Sequence, residues 1–129
     1  MSITMRYLML GSCGLVGVFA RYGLNSFAVN ILGFEFPAAT IVINILGSFL
    51  IGLTFVAGSE ALVISEDMRI VLMAGLLGGF TTFSAFSLEA VGLFTAGRYV
   101  FAGLYVLLSI GGGISATLLG IYIGRLALN

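Results

Sequence analysis

Four long apolar stretches, joined by short connections, constrain the fold of this chain more than any other feature. A helix needs about 20 apolar residues to cross a bilayer, and four segments of the 129-residue sequence reach that length. They cover residues 7–32, 38–57, 70–95 and 99–126, with connections at 33–37, 59–69 and 96–98. We therefore expect an all-α integral membrane protein, with residues 1–129 forming a single four-helix transmembrane domain.

The composition excludes several classes of protein. Hydrophobic side chains make up 60% of the chain and charged ones only 8%, which is too few to cover a soluble domain. The arginines are scattered and lysine is absent, so no nucleic-acid surface is expected. Histidine is absent, Cys13 is the single cysteine, and no paired carboxylates or thiolate and base stand out. An enzyme is not expected.

The distribution of arginine says little about orientation in the membrane. Four spans place both termini and the second connection on one side, together with Arg6, Arg69 and Arg125. Arg98 belongs to the other side, as does Arg21 by its distance from Arg6. Three arginines against two is a weak bias. Insertion in both orientations, which would permit an antiparallel homodimer, and a single orientation that the sequence does not reveal both stay open.

The third apolar segment contains a stretch that is poorly suited to a continuous helix. Residues 75–89 read G-L-L-G-G-F-T-T-F-S-A-F-S-L-E. Glycine loses the most backbone freedom in a helix and threonine is stiff at its first torsion, so we expect this helix to break near its middle. Backbone groups freed at membrane depth need protein, water or an ion, which makes the break a candidate site. Glycines that only allow close helix packing are the alternative.

Two other helices carry polar side chains along one face. In the second helix, Thr40, Asn44 and Ser48 are spaced four residues apart. An asparagine near mid-membrane is costly unless it is hydrogen bonded, so Asn44 faces protein or water, either as a link between helices or as part of a path. The fourth helix has the series Tyr105, Ser109, Gly113 and Thr117.

The fourth helix also has a line of small residues, Gly112, Ala116, Gly120 and Gly124. Such a line lets another backbone approach closely, and we expect it to imply a partner. A single four-helix unit is too small to enclose a hydrated pathway while its helices pack normally. A pathway along a homodimer interface is the simplest arrangement.

Fixed charge well inside the apolar segments is limited to Arg21 and Glu89. Either Arg21 attracts an anion to a vestibule or it extends to the headgroups. Either Glu89 pairs with Arg21, in its own or another subunit, or it caps a hydrogen-bond network. Donors without strong cations suit an anion that must be dehydrated and yet released. Phe83 and Phe86, three residues apart, would offer positive ring edges to such an anion, although phenylalanines at this spacing usually form a core.

Three pieces of the sequence stand out: G-G-F-T-T-F-S-A-F-S at 78–87, A-T-I-V-I-N-I-L-G-S at 39–48 and F-A-R-Y-G at 19–23. Together with the order and lengths of all four helices, they resemble a known family, the small four-helix fluoride channels called Fluc or CrcB. The resemblance covers nearly the whole chain. It implies passive, selective fluoride export across the bacterial plasma (inner) membrane, lowering cytoplasmic fluoride. It also implies an antiparallel, dual-topology homodimer with a structural sodium ion at its interface.

The same resemblance implies roles for individual residues. The backbone carbonyls of Gly78 and Thr81 from both subunits would hold the sodium ion. The fluoride pathway would be lined by Asn44, Phe83, Phe86, Thr40, Tyr105 and Ser109. A vestibule or hydrogen-bond network would include Arg21, Glu89, Ser84 and Thr82. The sequence departs from the family at Gly113, where a serine can occur, so water or Ser115 would have to supply the missing hydroxyl.

Two other functions stay open on the sequence. A small proton-coupled multidrug exporter is also a four-helix dimer, but it needs a carboxylate in its first helix, where this chain has Arg21. An accessory membrane subunit would transport nothing on its own. The partners expected for a channel are a second copy of the chain, fluoride and membrane lipid, without nucleic acid.

Overall fold

Four helices long and apolar enough to cross a membrane form the structure, a computed structural model that describes residues 1–33 and 37–128. The spans are Ile3–Asn30, Ala38–Glu60, Glu66–Thr95 and Tyr99–Leu128. The predicted all-α, four-span fold is confirmed. The first connection, predicted at 33–37, lies largely outside the described residues, which include only its two ends.

The helices are numbered in chain order, with the third span counted as two. They are α1 (Ile3–Asn30), α2 (Ala38–Phe55, continued by a π-helical turn, Val56–Glu60), α3 (Glu66–Ile70, continued by π-helical Val71–Leu77 and the turn Gly78–Phe80), α4 (Phe83–Thr95) and α5 (Tyr99–Leu128). Serine caps start two of them. Ser2 accepts a hydrogen bond from the backbone N–H of Met5 at 3.3 Å, and Ser65 accepts one from that of Met68 at 3.2 Å. Capping therefore starts α1 and α3 several residues before the apolar runs begin.

The third span is broken, as predicted, and the break lies at the two threonines. Thr81 (φ −86°, ψ 161°) and Thr82 (φ −153°, ψ 116°) are extended between α3 and α4. Gly78 and Gly79 remain helical in the last turn of α3. The Thr82 hydroxyl accepts from the backbone N–H of Ala85 at 3.2 Å and so caps α4. β-Branched residues favour extended backbone and threonine is a good N-cap, which explains why the helix stops there.

The turn between α4 and α5 is only three residues long. Gly97 has a φ of +73°, its N–H donates to the Phe94 carbonyl at 3.0 Å, and the Arg98 N–H donates to the Leu93 carbonyl at 3.0 Å. This pair of bonds is the Schellman motif, which needs a left-handed residue and therefore favours glycine. The motif turns the chain back so that α5 packs beside α4.

Glycines let α2 and α5 pack in close contact along what we call the α2–α5 seam. A Cβ on Gly52 would lie 2.4 Å from the Thr117 carbonyl oxygen, and one on Gly120 would lie 2.2 Å from the Phe49 carbonyl oxygen. Gly112 and Gly124 of the same line contact Ile45 and Val56. The expectation that this small-residue line implies a second subunit is therefore wrong, because its partner is α2 of the same chain.

A second glycine contact holds α1 against the end of α3. A Cβ on Gly17 would lie 2.1 Å from the Leu76 carbonyl oxygen, and one on Gly79 would lie 2.4 Å from that of Gly14. No side chain fits between these backbones. The contact places the middle of α1, including Arg21 one turn further on, beside the helix break.

Ion pairs gather at the end of the bundle where both termini lie. Arg6 and the N-terminal ammonium pair with Asp67, Arg69 pairs with Glu66 at 2.7 Å, and Arg125 pairs with Glu60 at 2.7 Å. The predicted topology places all these groups on one side of the membrane. Exposed pairs of this kind contribute little stability, so they mark the end of the bundle more than they hold it together.

Candidate functional site

Asn44 of α2 binds the backbone of the helix break. Its Nδ2 donates to the Thr82 carbonyl oxygen at 3.0 Å, and its Oδ1 accepts from the Thr82 N–H at 2.8 Å. The break deprives both Thr82 groups of helical partners, and buried backbone groups need replacements. One carboxamide therefore satisfies two freed groups, and a second hydrogen on Nδ2 is left for another acceptor. Asn44 links two helices and still offers a donor.

An open groove with a volume of about 270 Å³ lies beside the break. Its lining includes Asn44, Ser48, Thr82, Phe83, Phe86 and Ser109. Four of these six were predicted to line the pathway, and they come from α2, α4 and α5. Asn44 and Ser48 of one polar face and Ser109 of the other therefore share one space, whereas Thr40 and Tyr105 are not in its lining. We call this space the groove.

The two phenylalanines of α4 differ sharply in burial. Phe83 is 77% exposed at the groove, whereas Phe86 is 8% exposed. Their ring centroids are 5.4 Å apart and the planes are tilted by 51°. Phe86 also lies 5.4 Å from the ring of Tyr105, centroid to centroid. The three rings form a continuous series from the open groove to the buried Tyr105 hydroxyl.

Glu89 is the acceptor at the centre of a hydrogen-bond network. Thr40 Oγ1 donates to its Oε1 at 2.9 Å, and the Tyr105 hydroxyl donates to its Oε2. Both donors are almost fully buried. Glu89 does not pair with Arg21 within residues 1–33 and 37–128, and in this chain it lies in a hydrogen-bond network; a pair with Arg21 of another subunit stays a prediction. The network joins α2, α4 and α5 just beyond Phe86.

A second cavity, with a volume of about 350 Å³, shares Thr82 of the break with the groove. It is lined by Arg21, Tyr22, Asn25, Thr40, Thr82 and Glu89, among others. We call it the vestibule cavity. Arg21 is half-buried there, and its Nε donates to the Gly79 carbonyl oxygen at 3.1 Å. Asn25 was missed by the sequence analysis, although its position four residues after Arg21 puts it on the same helix face.

Three further positions named in the sequence analysis are Ser109, Ser84 and Gly113. Ser109 Oγ is buried, and Ser109 lines the groove. Ser84 is exposed, with its hydroxyl 3.3 Å from that of Thr82. At Gly113, a Cβ would lie 3.4 Å from Ser48 Oγ, whereas Ser115 is exposed. Ser48, and not Ser115, is the hydroxyl next to the gap in the polar series.

Gly47 is a second residue that the sequence analysis missed. It lines the groove, and a Cβ there would lie 2.1 Å from the methyl group of Thr81. A larger residue would displace Thr81 from its position in the break. The signal was present, because Gly47 stands three residues after Asn44 and so faces the same neighbour.

The end of α3 presents carbonyl oxygens that could hold a cation. The Leu77 carbonyl accepts from both the N–H and the hydroxyl of Thr81 at 2.9 Å. Apart from regular helical hydrogen bonds, no described residue donates to the carbonyls of Gly78 or Thr81. Gly78 is exposed on the single chain. Uncharged carbonyl oxygens are suitable ligands for a hard cation.

The chain matches known proteins along most of its length. The family described as CrcB-like protein, Camphor Resistance (CrcB), matches residues 8–121. A relative from Roseiflexus sp. (strain RS-1), named fluoride-specific ion channel FluC, is 43% identical over 110 residues, which are 85% of this chain and 89% of the relative. The protein of the same name from Coxiella burnetii (strain CbuK_Q154) is 44% identical over 114 residues, or 88% and 91%.

A third relative, from Agrobacterium fabrum (strain C58 / ATCC 33970), carries the same name and is 42% identical over 112 residues, or 87% and 90% of the two chains. The relatives and the four apolar spans agree on a multi-pass bacterial membrane protein. With the family match spanning residues 8–121, the chain belongs to the CrcB-like protein family.

Proposed function

We propose that this chain is a fluoride-selective channel through which fluoride leaves the cytoplasm passively across the bacterial inner membrane. The observation that carries the proposal is the groove, where the Asn44 amide and the rings of Phe83 and Phe86 share one space beside a helix break. The relatives at 43 and 44% identity carry the name fluoride-specific ion channel FluC. The activity is conduction and not enzymatic catalysis.

The groove suits a small, strongly hydrated anion. A conducting site must replace water ligands and still release the ion. The Asn44 amide, the Ser109 hydroxyl and the ring edges of Phe83 and Phe86 are donors or weakly positive groups without fixed charge. The anion would then pass from the groove along the ring of Phe86 toward the hydroxyls of Tyr105 and Thr40.

The pathway is completed by a second copy of the chain in the antiparallel orientation. Phe83 is 77% exposed at the open side of the groove, and Gly78 is exposed beside the break. Lipid cannot hydrogen bond to free backbone groups, so protein or an ion must cover them. A two-fold interface uses the same patch of both copies, so the helix break of one copy would lie against the helix break of the other.

A sodium ion between the copies would be held by the Gly78 and Thr81 carbonyls of each. The residues present fit such an ion, because these oxygens lie at the end of a helix and receive no hydrogen bond from described residues outside regular helical bonding. When bound, the ion would supply the positive charge that joins the two sets of carbonyls. The chain itself contributes the helix break, because Thr81 and Thr82 are extended. This extended backbone would leave the Gly78 and Thr81 carbonyl oxygens available to bind sodium.

The exporter alternative receives no support from the residues. A proton-coupled exporter of this size needs a carboxylate in its first span, and Ile3–Asn30 contains neither aspartate nor glutamate. The charge near the middle of that helix is instead Arg21, which contacts the break. No observation favours a second function.

Efflux from liposomes tests the proposal. The purified chain is reconstituted into liposomes loaded with potassium fluoride or potassium chloride, and efflux is started with valinomycin and followed with anion-selective electrodes. We expect rapid fluoride efflux and no chloride efflux above protein-free liposomes. Equal efflux of both anions would contradict selectivity. The absence of fluoride efflux would contradict the channel and favour an accessory subunit.

A further inference from the structure

We propose that Arg21 is a positioning residue for the cation site at the helix break. Its guanidinium fixes the end of α3 so that the Gly78 and Thr81 carbonyls keep the arrangement that sodium requires. The inference rests on the proposed function, and in particular on sodium between two copies of the chain. It concerns how this chain prepares the site before the ion binds.

The hydrogen bonds at the end of α3 determine which carbonyls stay available. The Leu77 carbonyl accepts from Thr81, and the Gly79 carbonyl accepts from Arg21 Nε at 3.1 Å. Gly79 lies directly after Gly78 and two residues before Thr81. Arg21 therefore holds the one glycine carbonyl between the two proposed ligands and keeps it out of the ligand set.

The reach of Arg21 is set by the close contact between α1 and α3. Cβ atoms on Gly17 and Gly79 would lie 2.1 and 2.4 Å from carbonyl oxygens of the facing helix, so the two backbones are in direct contact. Arg21 follows Gly17 by one helical turn and projects over the end of α3. A charged donor also bonds a carbonyl more strongly than a neutral one does.

Arg21 differs from the arginines at the far end of the bundle. Arg6, Arg69 and Arg125 each pair with a carboxylate, whereas Arg21 pairs with none among residues 1–33 and 37–128. A charge inside an apolar span is expensive and usually functional. Its side chain donates to the backbone of the break at the Gly79 carbonyl, and it shares the vestibule cavity with Glu89.

The break is thus held from two sides. Asn44 of α2 fixes Thr82 through two hydrogen bonds of 2.8 and 3.0 Å, and Arg21 of α1 fixes Gly79. The proposed sodium ligands, Gly78 and Thr81, lie beside these anchored residues. Groups that are already fixed lose less conformational entropy when a ligand binds, so anchoring raises affinity.

The sign of the effect separates positioning from simple charge. If Arg21 acted only through its positive charge, its removal would relieve repulsion and sodium would bind more tightly. If Arg21 acts by anchoring the backbone, its removal weakens sodium binding. The two roles predict opposite changes in the same measurement.

Thermal unfolding of the purified full-length chain in detergent measures this change without any transport assay. Melting is followed over a series of sodium concentrations, with N-methyl-D-glucamine holding the ionic strength constant, because a ligand that binds only the folded protein raises the melting temperature. We expect Arg21→Ala to raise the midpoint sodium concentration by about tenfold or more, as for loss of a hydrogen bond to a charged group. Arg21→Lys keeps a charged donor and should recover part of the loss.

Arg98→Ala is the matched control, since Arg98 is exposed in the turn between α4 and α5 and should leave the midpoint unchanged. An unchanged or lower midpoint in Arg21→Ala would overturn the inference. If Arg21→Ala does not fold, Arg21→Lys and Arg21→Gln take its place, and wild-type midpoints in both would overturn it. Failure of the proposed function appears in the wild type alone, as melting indifferent to sodium or as absent fluoride efflux.

Discussion

The α2–α5 seam and the helix break are both glycine-containing contacts, but their residues differ in exposure. At the seam, Gly120 meets the Phe49 backbone so closely that no side chain fits between them. At the break, Phe83 is 77% exposed and Gly78 presents its backbone to the surroundings. Glycine spacing shows where helices meet. We propose that the exposed aromatic and backbone groups at the break are where a second copy of the chain joins.

The largest effect is expected at the two phenylalanines of the groove. Phe83→Ile and Phe86→Ile keep a large apolar side chain but remove the positive ring edge, so each should abolish fluoride efflux while the dimer remains intact. Efflux from liposomes and the elution volume in detergent measure the two properties. Phe27→Ile is the control, because Phe27 is exposed on α1 away from both cavities. Unchanged efflux in both groove variants would refute the aromatic lining.

Asn44→Asp should come next, with fluoride efflux nearly stopped. The variant puts a negative charge in the groove and loses the Nδ2 donor to the Thr82 carbonyl. Asn44→Ser serves as a comparison, since it removes the link to Thr82 without adding charge. Efflux near the wild-type rate in Asn44→Asp would mean that Asn44 only joins two helices. Efflux lost equally in both variants would attribute the effect to the break rather than to charge.

A glycine substitution tests the packing of the α2–α5 seam. Gly120→Ala places a Cβ 2.2 Å from a backbone oxygen and should lower the free energy of unfolding by about 1–3 kcal/mol. Gly111→Ala on the same helix meets no atom within 4 Å and should be neutral, or stabilising by about 0.5–1 kcal/mol. Urea or detergent-denaturant unfolding measures both. Equal effects of the two changes would contradict the tight packing of the seam.

The smallest effect is expected from Gly113→Ser, which restores the serine that the family pattern allows. A Cβ on Gly113 would lie 3.4 Å from Ser48 Oγ, which is an ordinary contact distance. The Ser48 hydroxyl therefore already lies next to the position that a serine at 113 would occupy. Efflux should stay at the wild-type rate within measurement error. A clear increase would show that the missing hydroxyl limits conduction and that Ser48 does not replace it.

The sequence was sufficient to predict the spans, the break and the polar faces, because these depend on spacing along one helix. The pairing of helices is a tertiary property, which explains why the partner of Gly112 and Gly120 was assigned to another subunit. The same reason applies to Arg21 and Gly79, whose contact joins residues 58 positions apart. Thr82 was predicted near a break, but its bond to Asn44 depends on how α2 and α3 approach each other.

The central claim is that the groove is half of a pathway and that a second copy completes it. Poisson dilution tests this directly: the chain is reconstituted at falling protein-to-lipid ratios, and the fraction of liposomes that lose fluoride is fitted to the number of chains per functional unit. We predict that the fit gives two chains per functional unit. A fit to one chain, with full fluoride efflux from liposomes that hold a single copy, would contradict the claim.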